Sequence, residues 1–349
     1  MRIRKTIFGR QKIKPNTFIG GVGATINTPA LLATKLGILV SRIKVFRVVG
    51  LDVQCAIIGN YTIPPTAFSG NNEIAYFDDI NGLVTAISFS AFSDASNLTL
   101  VNFPNCLSVN GDGYAVAGSF HNCIKLVSVN LPKFSYSTDA RYLFTNCKKI
   151  EILNFPLYEG ILGDYMFQGC LELWEVNTKK VTAVGLATFQ NTKIKSLDFT
   201  YVTTIGGSAF GNCTHFNINI IAPECTSIGN GSFSGSKILG LTAPKCKNIS
   251  YSTFINCSEA TYYSFPELLT IDDGGSITHT FTNNIKVTSI YMPMVTRLGT
   301  NTSLNNIFAN IKLGCTITVP LAMQTINAGG VEPDLQYAIS SRGATIMYV

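Results

Sequence analysis

Apolar and polar positions follow one order that repeats along most of the chain. A phenylalanine is followed by one variable residue, then by Asn or Gly, and often by Cys, with 21–27 residues between successive copies. The motif phenylalanines are Phe120, Phe144, Phe167, Phe189, Phe210, Phe233, Phe254, Phe281 and Phe308, and Phe68 and Phe92 start two degenerate copies before them. A period of this length predicts a solenoid of stacked coils.

A second apolar run follows each motif and leads to a proline. Residues 126–132, 150–156 and 260–266 show this run most clearly, and eight of the 13 prolines stand at its end. Alternating apolar residues before a proline predict a short strand that the proline ends. One coil cannot bury its own apolar face, so we expect about eleven coils to stack into a mostly β body.

This repeat resembles the BspA-type leucine-rich repeat. Ser208–Cys213, with Thr204–Gly206 upstream, is the closest single copy, and the resemblance covers about residues 60–320. Proteins of this family occur on bacterial surfaces, in some parasites and in phages of gut-associated bacteria. The resemblance implies a leucine-rich-repeat solenoid that works in adhesion or recognition rather than in catalysis.

The repeat pattern stops at both ends of the chain. Residues 332–343 predict a helix with Pro333 early and Gly343 just past its end, and residues 344–349 predict a last strand. The β-rich residues 41–58 are expected to start the folded body. We therefore divide the chain into three parts: a basic N-terminal docking segment (1–50), the leucine-rich-repeat solenoid (51–320) and a C-terminal helix-strand cap (321–349).

Charge is concentrated in the N-terminal segment. The net charge of the chain is +6, yet residues 1–50 contain ten basic and no acidic residues, and the remainder has a net charge of −4. Three interpretations stay open: docking on an acidic partner or neighbouring subunit, nucleic-acid binding, and a solubilising tail. The apolar residues between the charges favour docking. The candidate docking residues are Arg2, Arg4, Lys5, Arg10, Lys12 and Lys14.

The composition is unusually apolar, with 46% hydrophobic and 13% charged residues. A membrane helix needs roughly 20 uninterrupted apolar residues. The nearest stretch, residues 16–34, is diluted by Gly, Thr, Asn and Pro. It also lacks the compact apolar run of a signal peptide. We therefore expect neither membrane insertion nor export by an ordinary leader.

Residues that could carry chemistry are scattered. Ten cysteines are present, and five of them share the motif position, where we favour buried packing over disulfides or a metal site because no C-x-x-C pair occurs. The three histidines have no orienting carboxylate in sequence, and Asp78-Asp79 and Asp272-Asp273 are interpreted as turn residues. We expect no enzyme activity, no metal and no cofactor. The five motif cysteines are Cys123, Cys147, Cys170, Cys213 and Cys257.

The predicted strands carry polar residues on their outer side. Asn102, Asn130, Asn154, Asn177, Asp198 and Asn219 occupy one outward position, where they form either a side-chain ladder between coils or part of a binding surface. Trp174 is either a contact residue or packing at a repeat edge. The candidate ligand-binding face consists of Asn130, Asn154, Trp174, Glu175, Asn177, Lys195, Asp198 and Tyr262.

Two functions fit these patterns. The favoured one is a phage virion appendage (a tail or head fibre, or a decoration protein) that is assembled in the host cytoplasm and bound to other virion proteins by its N-terminal segment. Its repeat body would bind a glycan or protein of the bacterial surface, and it could form a homo-oligomer. The alternative is a bacterial cell-surface leucine-rich-repeat adhesin. Nucleic acid is the least favoured partner.

Overall fold

The computed structural model describes residues 28–49, 52–57, 61–79, 82–111, 118–272, 279–299, 306–327 and 329–349. Short strands and turns dominate, with two α-helices in these ranges, α1 (Pro29–Leu36) and α2 (Pro333–Arg342), and two 3₁₀ turns, Val40–Arg42 and Leu321–Gln324. The strands are β1 (Ile43–Val49), β2 (Asp52–Ile57), β3 (Tyr61–Ile63), β4 (Tyr76–Asp79), β5 (Val84–Ile87), β6 (Leu100–Asn102), β7 (Ser108–Val109), β8 (Ser128–Asn130), β9 (Ile152–Leu162), β10 (Glu175–Val184), β11 (Thr204–Ile205), β12 (Asn219–Ile221), β13 (Ser227–Ile228), β14 (Gly240–Thr242), β15 (Asn248–Ile249), β16 (Tyr262–Ser264), β17 (Thr270–Ile271), β18 (Ser289–Tyr291), β19 (Arg297–Leu298), β20 (Thr316–Val319) and β21 (Thr345–Tyr348).

These strands form two faces of the solenoid. The front face contains the strands that lead to the repeat prolines, in the sheets β1-β2-β4-β6-β8 and β12-β14-β16-β18-β20-β21. The second face contains the sheets β3-β5-β7 and β9-β10-β11-β13-β15-β17-β19. Strands β9 and β10 are long enough to run from the front face into the second face. Apart from the antiparallel pair β1–β2, the strands pair in parallel, as stacked coils require.

The motif phenylalanines form the centre of the core. All eleven rings, from Phe68 to Phe308, are fully buried. Each stacks on the ring of the next coil, with centroids 5.0–6.0 Å apart and interplanar angles of 2–25°. Ten steps join the eleven rings, so the predicted leucine-rich-repeat solenoid is confirmed with about ten turns.

The motif cysteines bind the main chain of the preceding coil. The thiols of Cys123, Cys147, Cys170, Cys213 and Cys257 are fully buried, and each donates to the carbonyl of the motif phenylalanine one coil earlier at 3.0 Å. Burial raises the pKa of Cys170 and Cys257 to about 12, so their thiols stay protonated and can donate. The prediction of buried cysteines is confirmed, and the hydrogen bond explains why Asn284 can replace Cys, since its amide donates to the carbonyl of Phe254.

The third motif residue is left-handed, which the sequence analysis did not recognise. Asn122, Asn146 and Asn256 have φ of 55°, 59° and 62°, and Gly169 has φ of 70° at the same place. Asn and Gly are the residues that adopt this conformation most readily. The Asn side chains also join neighbouring coils, because Asn146 donates to Asn122 at 2.9 Å. The alternation of Asn with Gly was the signal for this turn.

Most front strands end one or two residues before the repeat proline, as predicted, but β9 does not. Pro156 lies inside β9, and the pairing with β10 is interrupted there between Phe155 and Glu159. The chain turns the corner between the two faces at this irregularity, so the missing N–H of the proline costs no sheet hydrogen bond.

Asp78 and Asp79 are not turn residues in the sense predicted, because they end strand β4 and are buried. The carboxylate of Asp79 accepts from the main-chain N–H groups of Leu83 and Val84 at 3.1 and 2.8 Å and so closes the connection to β5. Burial raises the pKa of both carboxyls. Asp272 forms an ion pair with Arg297 at 2.7 Å, whereas Asp273 lies outside the described residues.

Both ends of the solenoid are covered by elements that differ from the repeat. At the N-terminal end, Leu32 and Leu36 of α1 pack into the core, and β1 pairs with β2. At the C-terminal end, α2 and β21 follow the last coil, and β21 pairs with β20, so the predicted helix and strand are confirmed. Residues 28–49 of the predicted docking segment therefore join the first coils. Its basic residues Arg2, Arg4, Lys5, Arg10, Lys12 and Lys14 lie outside the described residues.

Candidate functional site

The front face opens at two places along the solenoid. Strand β8 pairs with β6 but has no strand partner in β9, so the N-terminal sheet ends there. The second opening lies between β10 and β12, where residues 195–199 have no strand conformation. The main-chain N–H of Lys195 donates to the carbonyl of Trp174 at 3.2 Å. Among the described residues, no main-chain hydrogen bond joins residues 196–199 to β10 or β12.

A local turn accounts for the second opening. The carboxylate of Asp198 accepts from the main-chain N–H of Thr200 at 2.9 Å and from its hydroxyl at 2.6 Å. Most other coils have a proline at the position of Thr200, which leaves no N–H to satisfy. Asp side chains that bind their own main chain compete with sheet pairing. The turn therefore holds residues 196–199 in an irregular conformation between two regular strands.

The second opening contains a groove of about 320 Å³. Five of the eight residues predicted from the sequence to form the ligand-binding face lie together in it. They are Trp174, Glu175, Asn177, Lys195 and Asp198, and the remaining wall is Val176, Thr178, Ser196 and Leu197. Residues from two neighbouring coils thus line one concave site, which is called the Trp174 groove below.

The polar groups of the Trp174 groove are held by one another. The Lys195 ammonium lies 4.4 Å from the centroid of the Trp174 ring, a cation–π contact. Asn177 donates to the carboxylate of Glu175 at 2.7 Å. The two hydrogen bonds from Thr200 lower the pKa of Asp198, first through the hydroxyl and then through the N–H, so this carboxyl is ionised at neutral pH. The groove therefore presents an indole, an amide, one cation and two acidic side chains to solvent.

The other three predicted residues lie elsewhere. Asn130 donates to Asn102 at 2.5 Å, and Asn102 donates to Asp78 at 2.6 Å, so a polar ladder exists along β4, β6 and β8. The ladder ends at the first opening. Asn154 is the register partner of Asn177, but Asn177 donates to Glu175 instead, so the ladder, one of the two alternatives for this row, does not continue through Asn177. Tyr262 lies on β16, three strands further along the front face than the groove.

Outside the groove, the described residues form no cluster of potential metal ligands. Among the described residues no three His, Cys, Asp or Glu side chains come close enough together to hold a metal ion. His121 is partly buried, which lowers its pKa, and His215 contacts the hydroxyl of Thr214 at 3.2 Å. No helix in the described part of the chain has the length and apolar character needed to cross a membrane.

A family model matches the repeat region. The model of the BspA type leucine-rich repeat region matches in six copies, over residues 60–186, 116–217 and 182–313, which is more than half of the chain. The chain belongs to the BspA type leucine-rich-repeat family. The resemblance stated from the motif is thereby confirmed, but the family match contains no phage-specific feature. The virion appendage therefore stays a prediction, and the cell-surface alternative agrees better with the family.

Several solved leucine-rich-repeat structures are similar to this BspA type protein. A leucine rich cell surface protein from Faecalibacterium prausnitzii is 18% identical, covers 85% of this chain and 90% of its own, and has a TM-score of 0.44. A leucine-rich repeat protein from Bacteroides ovatus is 16% identical over 82% of this chain and 87% of its own, with a TM-score of 0.39. The pneumococcal vaccine antigen PcpA is 11% identical over 88% and 97%, with a TM-score of 0.30. No curated protein matches the chain significantly.

Proposed function

We propose that this BspA type protein is a non-enzymatic recognition protein of a bacterial cell surface, and that it binds its ligand on the front face with the Trp174 groove at the centre. The observation that carries the proposal is the second opening of the front face. A regular parallel sheet would present a shallow surface, whereas the displaced residues 196–199 create a concavity. Ligand sites are typically concave and contain a few polar groups around an aromatic side chain.

Surface chemistry supports binding rather than catalysis. A general acid needs a carboxyl pKa raised toward the working pH. In the Trp174 groove the pKa of Asp198 is lowered by hydrogen bonds. Among the described residues, Asp78, Asp79 and Glu332 have a raised carboxyl pKa, and they are buried in strand β4 or in the C-terminal cap, outside the groove. The groove therefore offers contacts to a ligand without a group tuned for proton transfer.

The location is tested in the bacterium that produces the chain. Intact cells are treated briefly with a protease, and the released peptides are identified by mass spectrometry, with a cytosolic protein as the control for lysis. Peptides from residues 51–320 in the released fraction support the cell-surface proposal. Peptides at fixed stoichiometry in gradient-purified phage particles, with none from the cell surface, would contradict it and favour the virion appendage.

The binding face is tested with two matched variants. Trp174→Ala removes the ring that contacts the Lys195 ammonium, and Tyr201→Ala removes the ring that contacts the Lys180 ammonium outside the groove. In both pairs the ammonium nitrogen lies 4.4 Å from the ring centroid. Binding to immobilised mucin and to a panel of polysaccharides is measured for each protein. We expect Trp174→Ala to weaken binding by at least about tenfold, as for a central contact residue, and Tyr201→Ala to leave it unchanged. Equal losses in both variants would contradict the front-face assignment.

A further inference from the structure

Tyr262 and Gly240 form a second feature of the front face. A Cβ atom on Gly240 would collide with Cε1 of Tyr262 and would lie 2.6 Å from both Cδ1 and Cζ. The Tyr262 ring therefore occupies the space in which a side chain of residue 240 would stand. Gly240 has no left-handed conformation that would call for glycine, so the ring is the feature that a side chain here would displace.

The surface around this ring is uncharged and mixes hydroxyl and amide groups with exposed apolar side chains such as Ile221 and Met347. Strands β12, β14, β16, β18, β20 and β21 share three register rows. Side chains of the middle row point inward, and those of the two rows beside it point outward, because successive residues of a strand face opposite sides. No outward position in these rows carries a charge. The first row is Asn219, Gly240, Tyr262, Ser289, Thr316 and Thr345, and the second is Ile221, Thr242, Ser264, Tyr291, Thr318 and Met347.

Two ion pairs of the same coils lie outside these rows. Lys245 lies 2.7 Å from Glu224, and Lys286 lies 2.6 Å from Glu259, each pair joining neighbouring coils. A charged ligand would therefore find no matching charge in the two rows. Hydroxyl and amide groups can donate to and accept from sugar hydroxyls, and an aromatic ring can cover the apolar face of a pyranose. This combination fits a neutral glycan better than an acidic polymer.

From these observations we infer that Tyr262 on Gly240 is a second subsite, which binds one sugar ring of a neutral polysaccharide whose chain runs along the solenoid axis to the Trp174 groove. The inference rests on the proposed function, since it uses the same face. Gly240 lies on the second strand beyond residues 195–199 and Tyr262 on the third, so at the spacing of neighbouring strands the two subsites are at least about 10 Å apart. A chain of a few hexose units spans this distance, and a disaccharide cannot fill both subsites.

The experiment compares short and long chains of the same neutral glycan. Dextran and mannan are tested beside their disaccharides, with heparin as an acidic polymer, on the wild-type protein, Tyr262→Ala, Tyr262→Phe and Tyr251→Ala. Tyr251 is an exposed tyrosine outside the front strands and serves as the matched control. Binding is followed by calorimetry and by the fluorescence of Trp174, the single tryptophan of the chain. Thermal unfolding checks that each variant is folded.

We expect a neutral polymer to bind more tightly than its disaccharide. Tyr262→Ala should lower the ratio of polymer affinity to disaccharide affinity about tenfold, whereas Tyr262→Phe and Tyr251→Ala should leave this ratio unchanged. If Tyr262→Ala binds the polymer as well as the wild type does, the second subsite is wrong, although the Trp174 groove stands. Tighter binding of heparin than of either neutral polymer, or binding of mucin without any binding of neutral polymers, overturns the ligand class. Loss of all glycan and mucin binding in the wild type would contradict the proposed function as well.

Discussion

The interior of the solenoid is continuous, whereas its front face is interrupted. The stacked phenylalanines run from Phe68 to Phe308 without a missing ring. The front face, built from the same coils, is divided at β8 and again at residues 195–199. Each ring between the two ends of the stack contacts rings on both sides, so a missing ring would leave a cavity in the shared core. An interrupted strand on the surface can satisfy its main chain with water.

This difference separates the part of each coil that maintains the fold from the part that is free to vary. The motif side repeats the same contacts, because the thiol of one coil binds the carbonyl of the coil before it. On the front face, Asp198 replaces sheet pairing with a local turn, and Tyr262 replaces a neighbouring side chain with its own ring. We expect variation in ligand binding to come from such front-face exceptions.

The largest expected effect comes from removing one ring of the interior. Phe210 is fully buried and stacks between Phe189 and Phe233, with centroids 5.4 and 5.2 Å away. Phe210→Ala should lower the free energy of unfolding by about 3–5 kcal/mol, because a large cavity remains. Denaturant unfolding measures this loss. Phe89→Ala, at a partly exposed phenylalanine, is the control, and a similar loss there would contradict the special role of the ring stack.

The next effect concerns the C-terminal end of the interior and depends on pH. Burial, and secondly the charge of Asp334, raise the pKa of Glu332 to about 8, from 4.5 in the unfolded chain. Because the folded state holds the proton of Glu332 more tightly than the unfolded chain does, protonated Glu332 stabilises the fold. This stabilisation is complete below pH 4.5 and is lost as the pH rises toward 8.

Glu332→Gln keeps an acceptor for the N–H of Leu335 and removes the buried charge. The wild type should lose about 2–4 kcal/mol of stability between pH 5 and pH 9 relative to this variant. Unfolding curves at several pH values measure the difference, with the exposed Glu267→Gln as the control. Parallel pH profiles for the wild type and Glu332→Gln would show that Glu332 does not titrate in this way.

A smaller effect is expected at the left-handed turn of the motif. Asn146 has φ of 59° and donates to Asn122. Asn146→Ala should cost about 1–2 kcal/mol, because a left-handed conformation is unfavourable for alanine. Asn146→Gly loses the hydrogen bond but not the conformation, and should cost less. An equal loss in both variants would mean that the side-chain bond, rather than the backbone, determines the effect.

The smallest expected free energy is that of local unfolding at residues 196–199, in the second opening of the front face. Main-chain amides of residues 196–199 have no partner in the neighbouring strands, whereas those of β14 lie between two paired strands. Hydrogen exchange should therefore show an opening free energy near zero for residues 196–199 and strong protection in β14. Similar protection in the two segments would remove the structural basis of the Trp174 groove.

Part of the candidate site was predictable from the sequence. Trp174, Glu175 and Asn177 come from one predicted strand, and Lys195 and Asp198 come from the next, so a shared period was enough to place them together. Asn130, Asn154 and Tyr262 have the same outward position but lie on other coils. A repeat period gives the position of a residue within its coil, but it does not show where neighbouring coils separate.

The sequence by itself determined the repeat, the stacked phenylalanines, the buried cysteines and the C-terminal helix and strand. These features depend on contacts between identical positions one period apart, which the spacing of Phe and Cys shows directly. Only the tertiary structure decided where the front face opens, that the motif Asn is left-handed, and that the Tyr262 ring covers Gly240. Those outcomes depend on competition between a local turn or a single side chain and the pairing of two particular coils, and a pattern common to all coils cannot show which of them prevails.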